Sequence, residues 1–462
     1  MGVYRVRLGL LVALALAAGL GAAPARASGL TSYVLIGEDG ARVARVITPD
    51  AQCPTMRLDG QPAPMTVRAP AHTVPARSAK PAVFDGLVCE ATIPAGVTRA
   101  SVEGRNLPLP PAVIQRMAII GDTGCRILPT KDGQACNDPS EKGYPFARVA
   151  ASVARWKPDL VVHVGDYLYR EQPCPEGNAG CAGSAWGYGA DAWRQDWFDP
   201  AAPMFTAAPL ALSRGNHETC VRAGQGWWLY LDPRPLAPHR DCNDKADDDI
   251  GDFSIPYAVP LGQHSQLIMF DSAATSGKPL AADDPRAVHY RQAYAKIAAL
   301  AAASPHSMLV NHHPILGFAA YQGPSGPFLA PGNGGLQSVF GAYSPSYVPA
   351  GVDVLLAGHI HVWEAVSFSS DHPGQIIAGF SGTLEDIVPI PAAPPPGAAP
   401  AKGAVVKALS SWVVGFGFMT LERVGDGAWN AQVRDVDGHV VNTCKIRGSD
   451  IACALAQAPG RG

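Results

Sequence analysis

Five short stretches of the chain carry the residue types that hold hard metal ions. They are Gly121-Asp122-Thr123-Gly124, Gly165-Asp166-Tyr167-Leu168-Tyr169, Gly215-Asn216-His217-Glu218, Asn311-His312-His313-Pro314 and Gly358-His359-Ile360-His361. Carboxylate, amide oxygen and imidazole are the donors such ions take, and a two-ion site needs a carboxylate that can bridge. Asp166 is the candidate bridge. Singly the stretches differ in weight. Gly-Asp-x-Gly occurs in many tight turns, and His-x-His at a strand end can merely line a pocket. Gly-Asn-His-Glu is more specific. Together and in this order they point to two ions about 3.5–4 Å apart, an arrangement that clamps the attacking and departing oxygens of a phosphoryl transfer.

Each stretch follows a short apolar run that reads as a buried strand: Met117 to Ile120, Val161 to Val164, Leu210 to Leu212, Met308 to Val310 and Val354 to Ala357. An open α/β sheet presents ligands at the carboxyl ends of such strands. The five ends are therefore expected to converge on one edge of a sheet. Residues 145–156 read as a crossover helix, 266–270 as a strand, and 287–303 as a helix with one buried face. Before them, residues 28–110 hold short strand-like runs broken by Gly, Pro and Asp, which predicts a small antiparallel β-domain. Pro108 to Pro111 reads as a linker into an α/β region over 111–462. A Pro/Ala-rich insertion over 384–410 reads as an exposed loop. Beyond it, 413–421 is a predicted strand. Trp429, Ala431 and Val433 alternate with polar residues, and Asp437-Gly438 is a hairpin turn; this tail is expected to complete a second sheet.

The chain has 462 residues, 47% of them apolar, with 36 Lys and Arg against 39 Asp and Glu. That length supports at least one large core, and the balanced charge, with no basic run or stripe, speaks against a nucleic-acid groove. Arg5 and Arg7, an apolar run from Leu8 to about Leu20, and Ala25-Arg26-Ala27 follow the order of a Sec-type signal peptide with cleavage after Ala27. The expectation is a secreted or periplasmic protein without a stable membrane anchor. Ten cysteines suit an oxidising compartment. Pairing of sequential neighbours (Cys53 with Cys89, Cys125 with Cys136, Cys174 with Cys181, Cys220 with Cys242, Cys444 with Cys453) is one arrangement, which spacing alone does not fix. The run Asp247-Asp248-Asp249 lacks the Gly and terminal Glu of a calcium loop and reads as a solvated turn.

The five motifs resemble the calcineurin-like metallophosphoesterases and, within them, the purple acid phosphatases. The resemblance spans roughly Arg116 to Glu364. Many members of the wider family have Asp-x-His in the first motif; here Gly124 stands third, and Tyr169 completes the Gly-Asp-x-x-Tyr of the purple acid phosphatases instead. The resemblance implies an α/β/β/α two-sheet sandwich and a centre of Fe(III) plus a divalent Zn, Fe or Mn ion. It implies that Asp122, Tyr169 and His361 hold the ferric ion, that Asn216, His312 and His359 hold the divalent one, and that Asp166 bridges. His217 would bond phosphate and protonate the leaving group, while a metal-bound hydroxide attacks phosphorus in line. The implied substrate is a small-molecule phosphomonoester. A plant-type aromatic-Glu-Arg run after the last motif is broken by Ala365.

Other roles are open on sequence alone. Tyr169 could simply pack. His313 could be substrate-facing or structural, Arg214 could meet phosphate or pack, and Glu218 is a partner for orienting ligands. His163, inside a strand, reads as a buried, hydrogen-bonded residue, and the tryptophans at 186, 193, 197, 227 and 228 read as packing. A phosphodiesterase or nucleotide-cleaving hydrolase would use the same ligands. A catalytically idle binding module would be expected to have lost some of them.

Overall fold

Three of the motif strands, Arg116–Ile120, Leu160–His163 and Leu210–Leu212, lie side by side and parallel in the middle of an eleven-stranded sheet. Their alternation decides the layering. Met117 and Ile119 point into a core shared with the second sheet, while Ala118 and Ile120 point into an outer core. The second, seven-stranded sheet holds the other two motif strands, His306–Val310 and Val352–Ala357, again parallel neighbours. Here Met308, Val310, Val354 and Leu356 meet the first sheet, and Leu309 and Leu355 face outward. The helix Phe146–Trp156 covers the outer face of the first sheet through Phe146, Val149, Ala150 and Val153, one stripe at helical spacing. The helix Pro285–Ala301 covers the second through Ala287, Tyr290 and Ile297. The result is an α/β/β/α sandwich, as expected. It corrects one detail: the ligand strands end on adjoining edges of two sheets, not on one edge.

This computed structural model describes residues 29–454 apart from 78–79, 131–132, 325, 387, 389 and 391–396, together with the first two residues. The signal-peptide reading falls, from residue 3 on, outside the described residues, as does the central part of the 384–410 insertion. No described helix is long and apolar enough to cross a membrane. The last part of that insertion is not loop: Val406–Trp412 pairs antiparallel with Trp363–Phe368.

The N-terminal segment is antiparallel, as its turn-broken runs predict, but four of its strands extend the first sheet rather than closing on themselves. Thr31–Ile36 lies parallel to Leu210–Leu212, and Arg42–Thr48, Leu87–Ile93 and Thr66–Ala69 follow outward. Buried arginines fasten it to residues 228–234, beyond the third motif. Arg45 donates to the carbonyls of Leu229, Tyr230 and Asp232, Arg68 donates to those of Trp228 and Arg234, and both pair with Glu90. The tail also lands differently. Gly417–Gly425 pairs antiparallel with Arg116–Ile120, so the tail hairpins edge the first sheet instead of completing the second. All ten cysteines pair with their sequence neighbours. Three of the bridges close loops after the first three motif strands.

Candidate metal centre

At the ends of three of the five strands the backbone is strained. Asp122, Asp166 and His359 all have positive φ, at 54°, 61° and 72°. A side chain in the left-handed region costs roughly 1–3 kcal/mol and persists where its surroundings over-determine it. Here the surroundings are hydrogen bonds between motifs. The Asp122 N–H donates to Gly165 O at 3.0 Å, and the His359 N–H donates to the Asp122 carboxylate at 3.0 Å. Glu218, fully buried, accepts four backbone N–H groups at once. Oε1 takes those of Tyr167 (2.8 Å) and Leu168 (3.3 Å), and Oε2 those of Asp166 (3.2 Å) and Gly215 (3.1 Å).

The turns so fixed bring seven side chains together in two sets. In one, the Tyr169 hydroxyl lies 3.0 Å from Asp122 Oδ1, 2.8 Å from Asp166 Oδ2 and 3.1 Å from His361 Nε2. In the other, Asn216 Oδ1 lies 3.1 Å from His312 Nε2 and 3.0 Å from His359 Nδ1. Asp166 Oδ2 belongs to both, since it is also 3.1 Å from His312 Nε2.

The arrangement fits a cation rather than a self-contained hydrogen-bond network. His312 Nδ1 faces Val164 O at 3.0 Å, and His361 Nδ1 faces Leu384 O at 2.8 Å. A carbonyl only accepts, so both rings carry their proton there and turn the lone pair of Nε2 inward. On the inside those lone pairs meet carboxylate, amide and phenol oxygens. The phenol has one O–H for three neighbours, so the carboxylate, amide and imidazole acceptors, nearly all of them buried, outnumber the donors among them and suit a shared positive charge. Arg126 approaches His361 Nε2 at 3.5 Å, and without metal a proton supplies the rest. Burial disfavours a charged His312, yet the Asp166 carboxylate overrides it and raises the ring to about 9. Burial pushes Asp166 up, but His312 and His217 hold it well below the usual carboxylate range. Burial, aided by His312, drives His359 down to about 3.

Gly124 explains the departure in the first motif. A Cβ there would lie 2.7 Å from both Tyr167 O and Tyr169 N. The turn of the second motif packs directly on that glycine, which leaves no room for a ligand side chain at position 124. The phenol of Tyr169 occupies the cluster instead.

Residues 116–363, more than half of the chain, match the family model for calcineurin-like phosphoesterases. The chain belongs to the calcineurin-like phosphoesterase family. It is therefore a hydrolase of the phosphoesterase type. Among curated proteins none matches it. Solved structures that share its fold include a purple acid phosphatase, PPD1, from yellow lupin (Lupinus luteus) seeds. That chain is 13% identical with a TM-score of 0.55, over 91% of this chain and 74% of the lupin one. Another is PhoD, 12% identical with a TM-score of 0.54, over 95% of each chain. At these identities the likeness is one of fold.

Of the remaining residues singled out by sequence, this phosphoesterase places His217 beside the cluster. Its ring packs on that of Tyr169, centroids 3.8 Å apart, with Nδ1 2.9 Å from Leu168 O and Nε2 3.8 Å from Asp166 Oδ2. His313 adjoins the second set. Its ring centroid is 4.3 Å from that of His359, its Nδ1 is backed by Ser272 Oγ, and with His312 and His359 it forms a group able to hold an ion. Arg214 lies elsewhere, so the phosphate contact expected of it is corrected. Its guanidinium is buried, donating to Gly251 O at 2.7 Å and pairing with Asp271 at 2.7 Å. His163 is buried, 3.0 Å from Thr123 Oγ1 and stacked on Tyr167. Trp193, Trp197 and Trp228 are core.

Several residues at the site went unnoticed in the sequence. Asp196 accepts the N–H groups of Cys125 (3.0 Å), Tyr169 (2.8 Å) and Arg170 (3.1 Å), tying the first two motif turns together. Arg126 lies over the Tyr169 ring, 4.9 Å from its centroid. Arg222 pairs through two bonds of 2.6 Å with Glu171 and reaches the His217 ring. Asp386 accepts the His361 N–H at 2.8 Å. A charged residue five positions after His217 is a weak signal for Arg222. Leu384, acting through its carbonyl, leaves none.

Proposed function

We propose that this phosphoesterase is an exported, dinuclear metal-dependent phosphatase that hydrolyses phosphomonoesters. The observation that carries this reading is the two-set cluster with one Asp166 oxygen common to both. Asp122, Tyr169 and His361 would hold one ion and Asn216, His312 and His359 the other, with Asp166 between them. When bound, the ions supply Lewis-acid polarisation of phosphoryl oxygens and activation of water. Tyr169 makes Fe(III) the natural partner of the first set, because a phenolate is a hard anionic donor; a divalent Zn, Fe or Mn ion suits the second.

The chain's own groups supply the rest. His217 has its Nδ1 proton on the Leu168 carbonyl, so Nε2 would bond a phosphoryl oxygen and pass a proton to the departing one only in the doubly protonated ring, a form that burial disfavours and that the negative charge of a bound phosphate would have to support. Arg126 and Arg222 stand on the same side and add positive charge where negative charge accumulates. Arg222 is paired with Glu171, so Arg126 is the group whose charge would favour a dianionic monoester over a monoanionic diester. Five disulfides support function outside the cytosol.

The test is metal content and the visible spectrum of the purified protein, followed by turnover of a monoester and a bis-ester dye. One iron per chain with a broad visible band lost in Tyr169→Phe, and faster monoester turnover, supports the proposal. Two metals without the band would return Tyr169 to packing. Faster bis-ester turnover would make the protein a diesterase. No stoichiometric metal after reconstitution would leave an idle module.

A further inference from the structure

Beside the second ligand set lies a hollow of about 410 Å³, and His359 belongs to its wall as well as to the cluster. Its volume is in the range that holds a small organic molecule. A two-stranded hairpin, Ala319–Gly323 and Gly326–Ala330, forms one side. Phe318, at the root of the hairpin, and Ile360, between the two histidines of the last motif, line it together with Pro331. Phe318 is fixed in place, because its N–H donates at 2.9 Å to the buried Glu364. At the rim, Tyr321 is half exposed and pairs across the hairpin with Phe328, ring centroids 5.7 Å apart.

The polar side chains in this wall are already engaged. Gln337 donates to the carbonyls of Ile315 and Pro400, both at 2.7 Å, and Asn333 Oδ1 accepts from the Leu336 N–H and the Thr275 hydroxyl. Among the described residues, no Lys or Arg contributes to the lining. The carboxylate of Asp386 acts on the Tyr321 phenol from nearby. A second phosphate placed here would meet no cation and one repelling charge. An apolar ring would meet rings, methyls and glycine backbone. The guanidinium groups of the site, Arg126 and Arg222, lie instead beside Tyr169 and His217, at the other set.

We propose that this hollow is the subsite for the organic part of the substrate, and that it selects monoesters of uncharged, apolar or aromatic alcohols over small polar or multiply phosphorylated ones. The proposal rests on the phosphatase reading for its catalytic meaning, but the subsite can be tested by binding alone. Calorimetric titration of the metal-loaded protein with 2-phenylethylphosphonate and with methylphosphonate compares an apolar arm with none at constant headgroup. The expected preference for the former is about tenfold or more, in line with what apolar pockets achieve. Ala330→Trp, which fills the hollow, and Tyr321→Ala, which removes its rim, should each reduce that preference to less than about threefold. Turnover of 2-phenylethyl phosphate and glycerol phosphate, two esters of primary alcohols, should show the same ordering in kcat/KM. Equal affinity for the two phosphonates, or a preference untouched by both variants, overturns the subsite while leaving the phosphatase reading intact. A strong phosphonate preference without turnover of any ester upholds the subsite and overturns the phosphatase reading.

Discussion

Glu218→Gln is the sharpest probe of how the centre is held. The wild-type carboxylate accepts two N–H groups on each oxygen and so ties the Asp166 turn to the Asn216 turn. Burial and the Asp166 carboxylate push its carboxyl up to about 8. Yet its four backbone partners are all donors, and a proton on either oxygen would face an N–H. Glutamine is isosteric but offers one accepting oxygen. If that oxygen keeps Tyr167 and Leu168, the amide nitrogen is turned against the N–H groups of Asp166 and Gly215. Each buried donor left unpaired costs roughly 1–3 kcal/mol, so two cost about 2–6 kcal/mol. The cheapest relief is for Asp166 to leave its positive-φ turn, which carries Oδ2 away from Tyr169 and His312. Metal affinity should fall about 10–100-fold, as it does when ligand-orienting partners are lost. The assay is metal retained after dialysis against a graded chelator series, read beside the denaturation midpoint. Wild-type metal retention and turnover within threefold of wild type would refute the view that this carboxylate sets the ligand geometry.

Asp166→Asn should lose metal loading and hydrolysis together, which metal analysis and a turnover assay would check, because Asp166 Oδ2 lies 2.8 Å from the Tyr169 hydroxyl of one set and 3.1 Å from His312 Nε2 of the other. Arg214→Met should act on stability and not on substrate: it strands Asp271 in the interior, a change worth about 3–5 kcal/mol for a buried pair. Urea midpoints should drop while KM moves less than twofold. Glu364 tests the pH dependence of folding. Burial lifts its carboxyl from 4.5 to about 8. Its stabilising effect is full below pH 4.5 and is lost as pH rises toward 8, because the unfolded chain releases the proton first, at up to about 1.4 kcal/mol per pH unit. Glu364→Gln has no proton to release, so the gap between its urea midpoint and that of wild type should shift in the variant's favour between pH 5 and pH 8.

Much of the clustered set was legible because each motif lies just beyond a β-branched or aliphatic run, and local periodicity records that. The helix at 146–156 and the alternation of Trp429, Ala431 and Val433 were legible for the same reason. What local pattern does not record is pairing at a distance. Nothing in Thr31–Ile36 says that it lies beside Leu210–Leu212, and nothing in Gly417–Gly425 says that it flanks Arg116–Ile120. Hence the N-terminal segment read as a separate unit and the tail as part of another sheet. Arg214, adjacent in sequence to the third motif, left phosphate contact and packing both open, because its partner Asp271 lies far along the chain and no local pattern records the pair. The grip of Leu384 on His361 passes through a backbone carbonyl, which every residue possesses.

The disulfides and the sheet operate over very different stretches of chain. Every bridge joins cysteines between 7 and 36 residues apart, whereas the first sheet pairs Leu35 with Leu210 and Ala118 with Thr420. Covalent closure is therefore local and topology is global. A chain emerging from its N-terminus can oxidise each loop as it appears without committing to a wrong arrangement. The sheet itself must wait for the last quarter of the polypeptide, and so its assembly is slow and late. Until then Arg116–Ile120 presents an open strand edge, the period in which such a chain is most exposed to self-association.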